Sequence, residues 1–575
     1  MLKIALAQME VRANHPDINV AKMLKFINDA KSKEADIIIF PFYAVSGTLN
    51  NTAFDRSAFF EDLQTYNNDI LKASDGITIL FSNDVNGNVN FAASNGKFLK
   101  NERDVFNIEV RGKNYKVFCD YDDPNSRDEL ELVDPDFDFI VVAAATEFVS
   151  GQKKSRDEII KEVAKNNGCP MVYVNCVGSQ NTGKTVYTFD GSSSVYNGKG
   201  EIVVRAKSFE ESLTIFDLDK VNEMPPIKEV EEPEIAEIYH ALHHGVKNFL
   251  KQIGMKKIVI GISGGIDSAV DAALYTDVLG PENVLLVNMP SVFNSSTTKE
   301  LSEQLAKNLG CNYMIVPIQE SVDWTVKQIE STPMQFLSDG TVKNIKLSSF
   351  VKENVQARDR SARILATLAA AFGGGFTCNA NKAETTVGYA TMYGDSAGVL
   401  SALADLWKYQ VYALAHYFND VVYGREVIPQ GIIDIVPSAE LSNAQNVDEG
   451  KGDPLKYPYH DYLLKAFVEG IDDNQFRSDI TPEEILTWYS EGILEEKIGC
   501  EKGLVKKYFN NAEEFIVDLE RWWNLFTGIA IAKRIQAPPL IAVTNQAFGS
   551  FFLAESQNGN YYTRAYKTLK EKLLK

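Results

Sequence analysis

The 575-residue sequence predicts an α/β protein in two parts, an α/β sandwich followed by a doubly wound parallel sheet with a helical extension. Three observations predict it. The first third alternates β-rich runs with helical stretches, a proline-rich acidic segment follows, and beyond it strands and helices alternate one for one. The β-rich runs of the first part are LKIALAQ, ADIIIFP, ITILFSND, YKVFCDYD, DFIVVAAA and PMVYVNCVG, with an amphipathic helix over residues 18–33. GSSSVYNGKGEIVVRAK reads as a hairpin turning at Asn197 to Gly200, and FEESLTIFDLD supplies a further strand. The composition breaks in NEMPPIKEVEEPEIAE, residues 222–237, which carries three prolines and a dense acidic cluster. Residues 1–222, a linker over 223–236 and residues 237–575 are therefore the expected parts. Two parts also suit the length, because single cores rarely grow past about 250–300 residues.

After the break come a helix over Tyr239–Gln252, strand KKIVIGI, a helix from Asp267, strand NVLLVNMP, a helix over Ser296–Asn308 and strand YMIVPI. Such alternation predicts a parallel sheet covered on both faces. From about Leu463 the chain is helical and amphipathic, ending in the lysine-rich YKTLKEKLLK.

A formal charge of −20 argues against nucleic-acid and anionic-membrane partners, which need a basic face. The start, MLKIALAQME, is too polar for a signal peptide, and no apolar run is long enough to span a bilayer, so a soluble cytoplasmic protein is expected. Six cysteines, at 119, 169, 176, 311, 378 and 500, show no CxxC spacing for zinc and are too sparse for a disulfide framework. Most should be buried small hydrophobes.

The strongest chemical signal is KKIVIGISGGIDSAVDAAL. An apolar strand runs into Ser263, Gly264, Gly265, Ile266, Asp267 and Ser268 and then into a helix. The glycines let the backbone approach an anion, while amides at the helix start and the two serine hydroxyls cradle phosphate oxygens. The loop lacks the GK[ST] ending of a Walker A motif. It resembles instead the loop of the ATP pyrophosphatases, a class that includes several amide and thiolation ligases.

Further motifs narrow the choice. ENVQARDRSAR, FTCNANKAETTVGYATMYGD, ADLWKYQ, PSAEL, YPYHDYLL and KRIQAPP follow in order. Over residues 235–550 this pattern resembles the NAD synthetases, which activate nicotinic acid adenine dinucleotide with ATP and convert the acid to an amide. Adenylating a carboxylate brings an anion against a polyanion, so a divalent cation must screen the charge. The resemblance implies Mg²⁺ on Asp267 and Glu384, and Lys408 stabilising charge on the departing phosphates. It implies Asp395 near the nicotinate end and the amine nucleophile. Nucleotide contacts are implied for Asn354, Asn379, Lys382 and Glu384, contacts to the dinucleotide across a subunit pair for Arg358 and Arg360, and a homodimer or larger homo-oligomer for the whole chain. There are departures. NANKAE stands where TGNKSE is usual, so Asn379 and Ala380 replace Thr and Gly, and Ala383 replaces Ser.

The first 220 residues resemble the nitrilase-like amidase domain, an α-β-β-α sandwich, that is fused to glutamine-dependent NAD synthetases. KIALAQ, ADIIIFP, VFCDYD, YVNCVGSQ and TFDGSSSVYNGKGEIVVRAKSFEE carry that resemblance. The family's amidase site joins a glutamate base, a lysine and a cysteine nucleophile. Here Cys119 holds the nucleophile position, but the base position is Phe42, and Lys97 and Lys100 precede the cysteine in a shortened stretch. The expected activity is thus NAD⁺ synthesis in which free ammonia is favoured over glutamine. A working glutaminase, another ligase of the pyrophosphatase class, and a non-catalytic protein built from two decayed enzymes are the other readings of the sequence.

Overall fold

The computed structural model describes residues 1–49, 57–85, 88–120, 136–228, 232–471, 480–549 and 561–575. The chain divides into two compact units, one of Met1–Thr182 with Val186–Asn248, the other of Gly183–Thr185 with Phe249–Lys575.

In the first unit, one six-stranded sheet runs in the order Ser212–Asp217, Lys3–Gln8, Ile37–Ile39, Thr78–Val85, Asn88–Ser94, Lys97–Phe98. A second runs Ile202–Arg205, Ser194–Tyr196, Met171–Asn175, Phe139–Ala144, Lys113–Asp120, Val105–Val110. Strand periodicity sets the layers. In FIVVAA, Phe139, Val141 and Ala143 join Leu6, Ile39 and Leu80 in a core between the sheets, whereas Ile140, Val142 and Ala144 turn outward to Ile160, Val163 and Ala164 of helix Gln152–Asn167. Helices Pro16–Ser32 and Ser57–Ala73 cover the first sheet, completing an α-β-β-α sandwich. The hairpin turns where expected, with Gly200 N–H donating to Asn197 O at 2.9 Å.

The expected linker is shorter than its composition suggested. A 3₁₀ turn occupies Leu218–Glu223, and helix Glu234–Gln252 begins inside the acidic stretch, with Glu234 and Glu237 in its first turn. Carboxylates there are stabilised by the helix dipole. Glu229, Val230 and Glu231 lie outside the described residues.

In the second unit, four parallel strands stand in the order Asn312–Ile315, Val284–Asn288, Ile258–Gly261, Gly375–Phe376. The chain therefore winds to one side of Ile258–Gly261 and returns on the other. Ligands of doubly wound sheets bind outside the strand ends at such a reversal. Among the elements that escaped the sequence reading are an antiparallel pair Pro333–Gln335 with Val342–Asn344, and a π-helical stretch Asp359–Leu365 between helices Ser349–Arg358 and Ala366–Phe372. Helices dominate after Tyr457. All six cysteines are free thiols, four of them buried.

Candidate active site

Strand Ile258–Gly261 leads through a four-residue loop into helix Ile266–Leu279. Gly264 adopts φ +87°, and a Cβ there would come within 2.5 Å of the Thr298 carbonyl oxygen, so the turn requires glycine. Ser263 Oγ accepts from Gly265 N–H at 3.2 Å, and Ser268 Oγ donates to the Gly265 carbonyl at 3.0 Å. The loop is thus braced from within. PSAEL supports it from outside: buried Glu440 accepts from Ser295 N–H at 3.2 Å and from Thr298 Oγ1 at 2.7 Å.

Over this loop lies a cavity of about 250 Å³. It brings together Ser263, Gly265, Ile266, Asp267, Ser268, Arg360, Asn379, Glu384, Asp395 and Lys408. These come from segments as far apart in the chain as Ser263 and Lys408, brought together by the parallel strands.

Asp267 Oδ2 pairs with the ammonium of Lys408, and its Oδ1 accepts from Asn381 Nδ2 at 3.0 Å. Asn381 also caps helix Lys382–Val387, exchanging bonds with Glu384 in a capping box: its Oδ1 takes Glu384 N–H at 3.1 Å, and Glu384 Oε2 takes Asn381 N–H at 3.3 Å. One asparagine therefore sets both carboxylates. The remaining oxygen of Glu384 accepts from Tyr457 OH at 3.1 Å and stands 3.9 Å from Lys408 Nζ. Burial, and then the charge of Asp267, pushes the Glu384 carboxyl up to about 8. Burial pulls the Lys408 ammonium down, but Asp267 and Glu384 outweigh it and hold the group above the ordinary lysine value. Lys408 is therefore charged at neutral pH.

Two hard carboxylates converging on one spot, with no cluster of three or more potential ligands among the described residues, suit a cation that completes its shell with phosphate oxygens and water.

Asp395 accepts from Thr391 N–H, and burial raises its pKa. Arg360, on the π-helical stretch, donates to Met289 O at 3.1 Å and to Asn294 Oδ1 at 3.3 Å, and burial pulls its guanidinium down to about 10. Asn379 donates to Gly261 O at 3.0 Å and accepts from Thr377 Oγ1 at 2.6 Å, tying together two neighbouring strand ends. Ala383 is fully buried, in keeping with its lack of a hydroxyl.

Three residues expected at the nucleotide, Asn354, Arg358 and Lys382, do not line this chain's cavity. Lys382 is fully buried between Asp405 at 2.7 Å and Glu469 at 2.6 Å, with Thr544 Oγ1 at 2.8 Å, and does not line the cavity. A lysine so buried needs a paired carboxylate more than a ligand. Asn354 accepts from Thr391 Oγ1 at 2.7 Å, and Arg358 Nε donates to Met392 O at 3.1 Å. Both brace the loop that presents Asp395. Sequence reasoning missed Tyr389 and Asp453, which line the cavity and are joined by a hydrogen bond of 3.0 Å. GKGDPLKY has no periodicity that marks its acid.

In the first unit, Cys119 is fully buried in the core between the sheets, and its N–H donates to Asp104 O at 2.9 Å. Phe42 N–H donates to Ala144 O at 3.1 Å. Lys97 and Lys100 are exposed, the latter ion-paired with Glu102.

Residues 238–489 match the NAD synthase family model, and residues 131–225 match the carbon-nitrogen hydrolase model. The chain is 28% identical over 588 residues to a glutamine-dependent NAD(+) synthetase of Xylella fastidiosa (strain 9a5c), covering 95% of this chain and 97% of that one. It is 32% identical over 424 residues to a glutamine-dependent NAD(+) synthetase of Synechocystis sp., covering 73% of this chain and 66% of that one. Among solved structures, glutamine-dependent NAD⁺ synthetase from Acinetobacter baumannii in complex with ADP has the same fold, with a TM-score of 0.65 and 24% identity over 97% of this chain and 100% of that one.

Proposed function

We propose, from the premise that this chain belongs to the glutamine-dependent NAD⁺ synthetases, that its second unit adenylates nicotinic acid adenine dinucleotide and amidates it with ammonia in preference to glutamine. One observation carries the catalytic part: Asp267, Glu384 and Lys408 converge beside a phosphate-type loop at the reversal point of a parallel sheet.

Each residue then has a task. The loop amides and the hydroxyls of Ser263 and Ser268 hold phosphate oxygens of ATP. Asp267 and Glu384 would hold Mg²⁺, which when bound neutralises phosphate charge and aligns the α-phosphate. Lys408, charged and nearly inaccessible, stabilises the negative charge that grows on the leaving pyrophosphate. The nicotinate carboxylate attacks the α-phosphorus, giving a mixed anhydride with AMP. Asp395, held by Thr391 and lining the same cavity, orients the incoming amine and takes a proton from it. Ammonia then displaces AMP.

Because activation precedes amine attack, ATP and the dinucleotide substrate alone give a stoichiometric burst of pyrophosphate in a rapid-quench single turnover. Pyrophosphate that appears only after ammonia is added overturns the order.

The homo-oligomer belongs to the same reading. Support comes from large apolar side chains that the second unit leaves exposed, among them Trp324, Phe336, Phe350 and Leu337, the last 90% exposed. Leu337→Glu combined with Phe350→Glu yields a monomer in sedimentation velocity, whereas the unaltered chain sediments as a dimer or larger. Among the described residues, no helix is long and apolar enough to cross a membrane.

A further inference from the structure

We propose that Tyr457 and Asp461, on the helix Tyr457–Glu469, are positioning residues for Lys408: the ring of the first seats the ammonium, and the carboxylate of the second fixes the backbone from which it projects. This rests on the synthetase reading above, in which Lys408 stabilises the charge that grows on pyrophosphate, and it gives the YPYHDYLL motif a task.

Lys408 is the first residue of helix Lys408–Tyr417. The first N–H groups of a helix have no partner within it, and a side-chain acceptor at the cap position usually takes one of them. Trp407 stands at that position here, and an indole N–H only donates. The acceptor comes from another helix instead: Asp461, fully buried, takes the Tyr409 N–H on Oδ2 at 3.0 Å.

Tyr457 lies four residues before Asp461, one turn away on the same face. Lys408 Nζ stands 4.8 Å from the centroid of its ring, and its hydroxyl donates to Glu384 Oε1 at 3.1 Å. At the far end of the helix, Glu469 accepts from the Trp407 indole N–H at 2.8 Å. One helix therefore holds three consecutive residues of ADLWKYQ: Trp407 through Glu469, Lys408 through Tyr457 and Tyr409 through Asp461. The helix is itself fixed. His460, fully buried, accepts from Lys456 N–H on Nδ1 at 2.7 Å, so Nε2 carries the hydrogen and donates to Asp518 Oδ2 at 2.8 Å. The other oxygen of Asp518 takes the Trp522 indole N–H at 3.1 Å.

The chemistry requires such support. Lysine carries a compact charge on a flexible four-carbon stem, and a charge aimed at a transition state contributes only so far as it is held in place beforehand. Asp267 and Glu384, the ionic neighbours of Lys408, are also the residues expected to hold the cation, so the ammonium needs supports for which the cation does not compete. A ring face and a backbone cap are two such supports. Neither Tyr457 nor Asp461 lines the cavity, so both act through Lys408 and not on the substrate.

The test is a double-mutant cycle on the full chain. Asp461→Leu and Tyr457→Leu are made in the unaltered chain and in a Lys408→Met background, and the rate constant of the pyrophosphate burst is read by rapid quench beside thermal melting. In the unaltered chain each leucine variant should slow the burst by about 10²-fold, the scale of a misplacement of roughly 1 Å. The ATP concentration that gives the half-maximal burst rate should stay unchanged. In the Lys408→Met background neither variant should slow the residual burst further, because the group they position is gone. Asp461→Asn, which keeps the acceptor oxygen, and Tyr457→Phe, which keeps the ring, should each retain most of the unaltered rate. Slowing by leucine that is equal in both backgrounds would show a structural role alone and overturn the proposal. Conservative variants as slow as the leucine ones would overturn it too, since charge or the Glu384 contact would then carry the effect. Where Asp461→Leu folds poorly, Tyr457→Leu decides by the same cycle. A burst absent from the unaltered chain overturns the synthetase reading and this inference with it, whereas a normal burst slowed equally in both backgrounds overturns this inference alone.

Discussion

Replacing Asp267 with Asn lowers the rate of NAD⁺ formation by on the order of 10²–10³-fold, and replacing Glu384 with Gln does the same, while the fold survives. Asp267 pairs directly with a buried ammonium, Glu384 stands 3.9 Å from the same ammonium, and each is also an acceptor for a cap or hydroxyl. An amide keeps the shape and one acceptor oxygen but loses the charge that a metal and Lys408 require. Alanine at either position goes further, because removing one partner of a buried pair costs about 3–5 kcal/mol. The amide variants are therefore the cleaner probes of catalysis. Turnover is measured beside thermal melting, and near-normal turnover in both amide variants would remove these carboxylates from the mechanism.

Ammonia-supported synthesis exceeds glutamine-supported synthesis by about 10²–10⁴-fold, and Cys119→Ala leaves the ammonia rate unchanged. A thiol near its free pKa of about 8.5 is only slightly ionised at neutral pH, so amide attack needs a base. The same base must later protonate leaving ammonia and activate water. Where the sequence resemblance leads one to expect the base stands a phenyl ring, Phe42; Cys119 is packed in an apolar core; and Lys97 and Lys100 face solvent. The measurement is glutamine-dependent NAD⁺ synthesis in ammonia-free buffer, compared between the unaltered chain and Cys119→Ala. Robust glutamine turnover that vanishes in the alanine variant would show a working glutaminase built on other groups.

Much of the fold was legible because its signals are local. Alternation in FIVVAA separates the sandwich core from the helix layer by strand geometry alone. Asn197, whose side chain accepts from Lys199 N–H at 3.0 Å and Glu201 N–H at 2.9 Å, sets the hairpin turn within five residues. The acidic linker misled in part, since composition alone does not distinguish a solvated connector from the first turn of helix Glu234–Gln252.

The sequence by itself determined the phosphate loop, the carboxylate at its end and the strand-to-helix order that sets it at the carboxyl end of a parallel strand. Those features depend on residues close in the chain: two glycines and two serines between an apolar strand and a helix. Only the tertiary structure decided which distant side chains share that space. Lys382 and Glu384 are two residues apart on one short helix, yet Glu384 meets Lys408 and Asp267 while Lys382 turns into a separate buried cluster with Asp405 and Glu469. Positions two apart on a helix do not face each other, so neighbours in sequence point to different partners. Arg358 and Arg360 divide in the same way, the first bracing the Asp395 loop and the second lining the cavity. Asp453 and Tyr389 enter the site for the same physical reason: long-range packing chooses the surroundings of each polar group, and no local pattern records that choice.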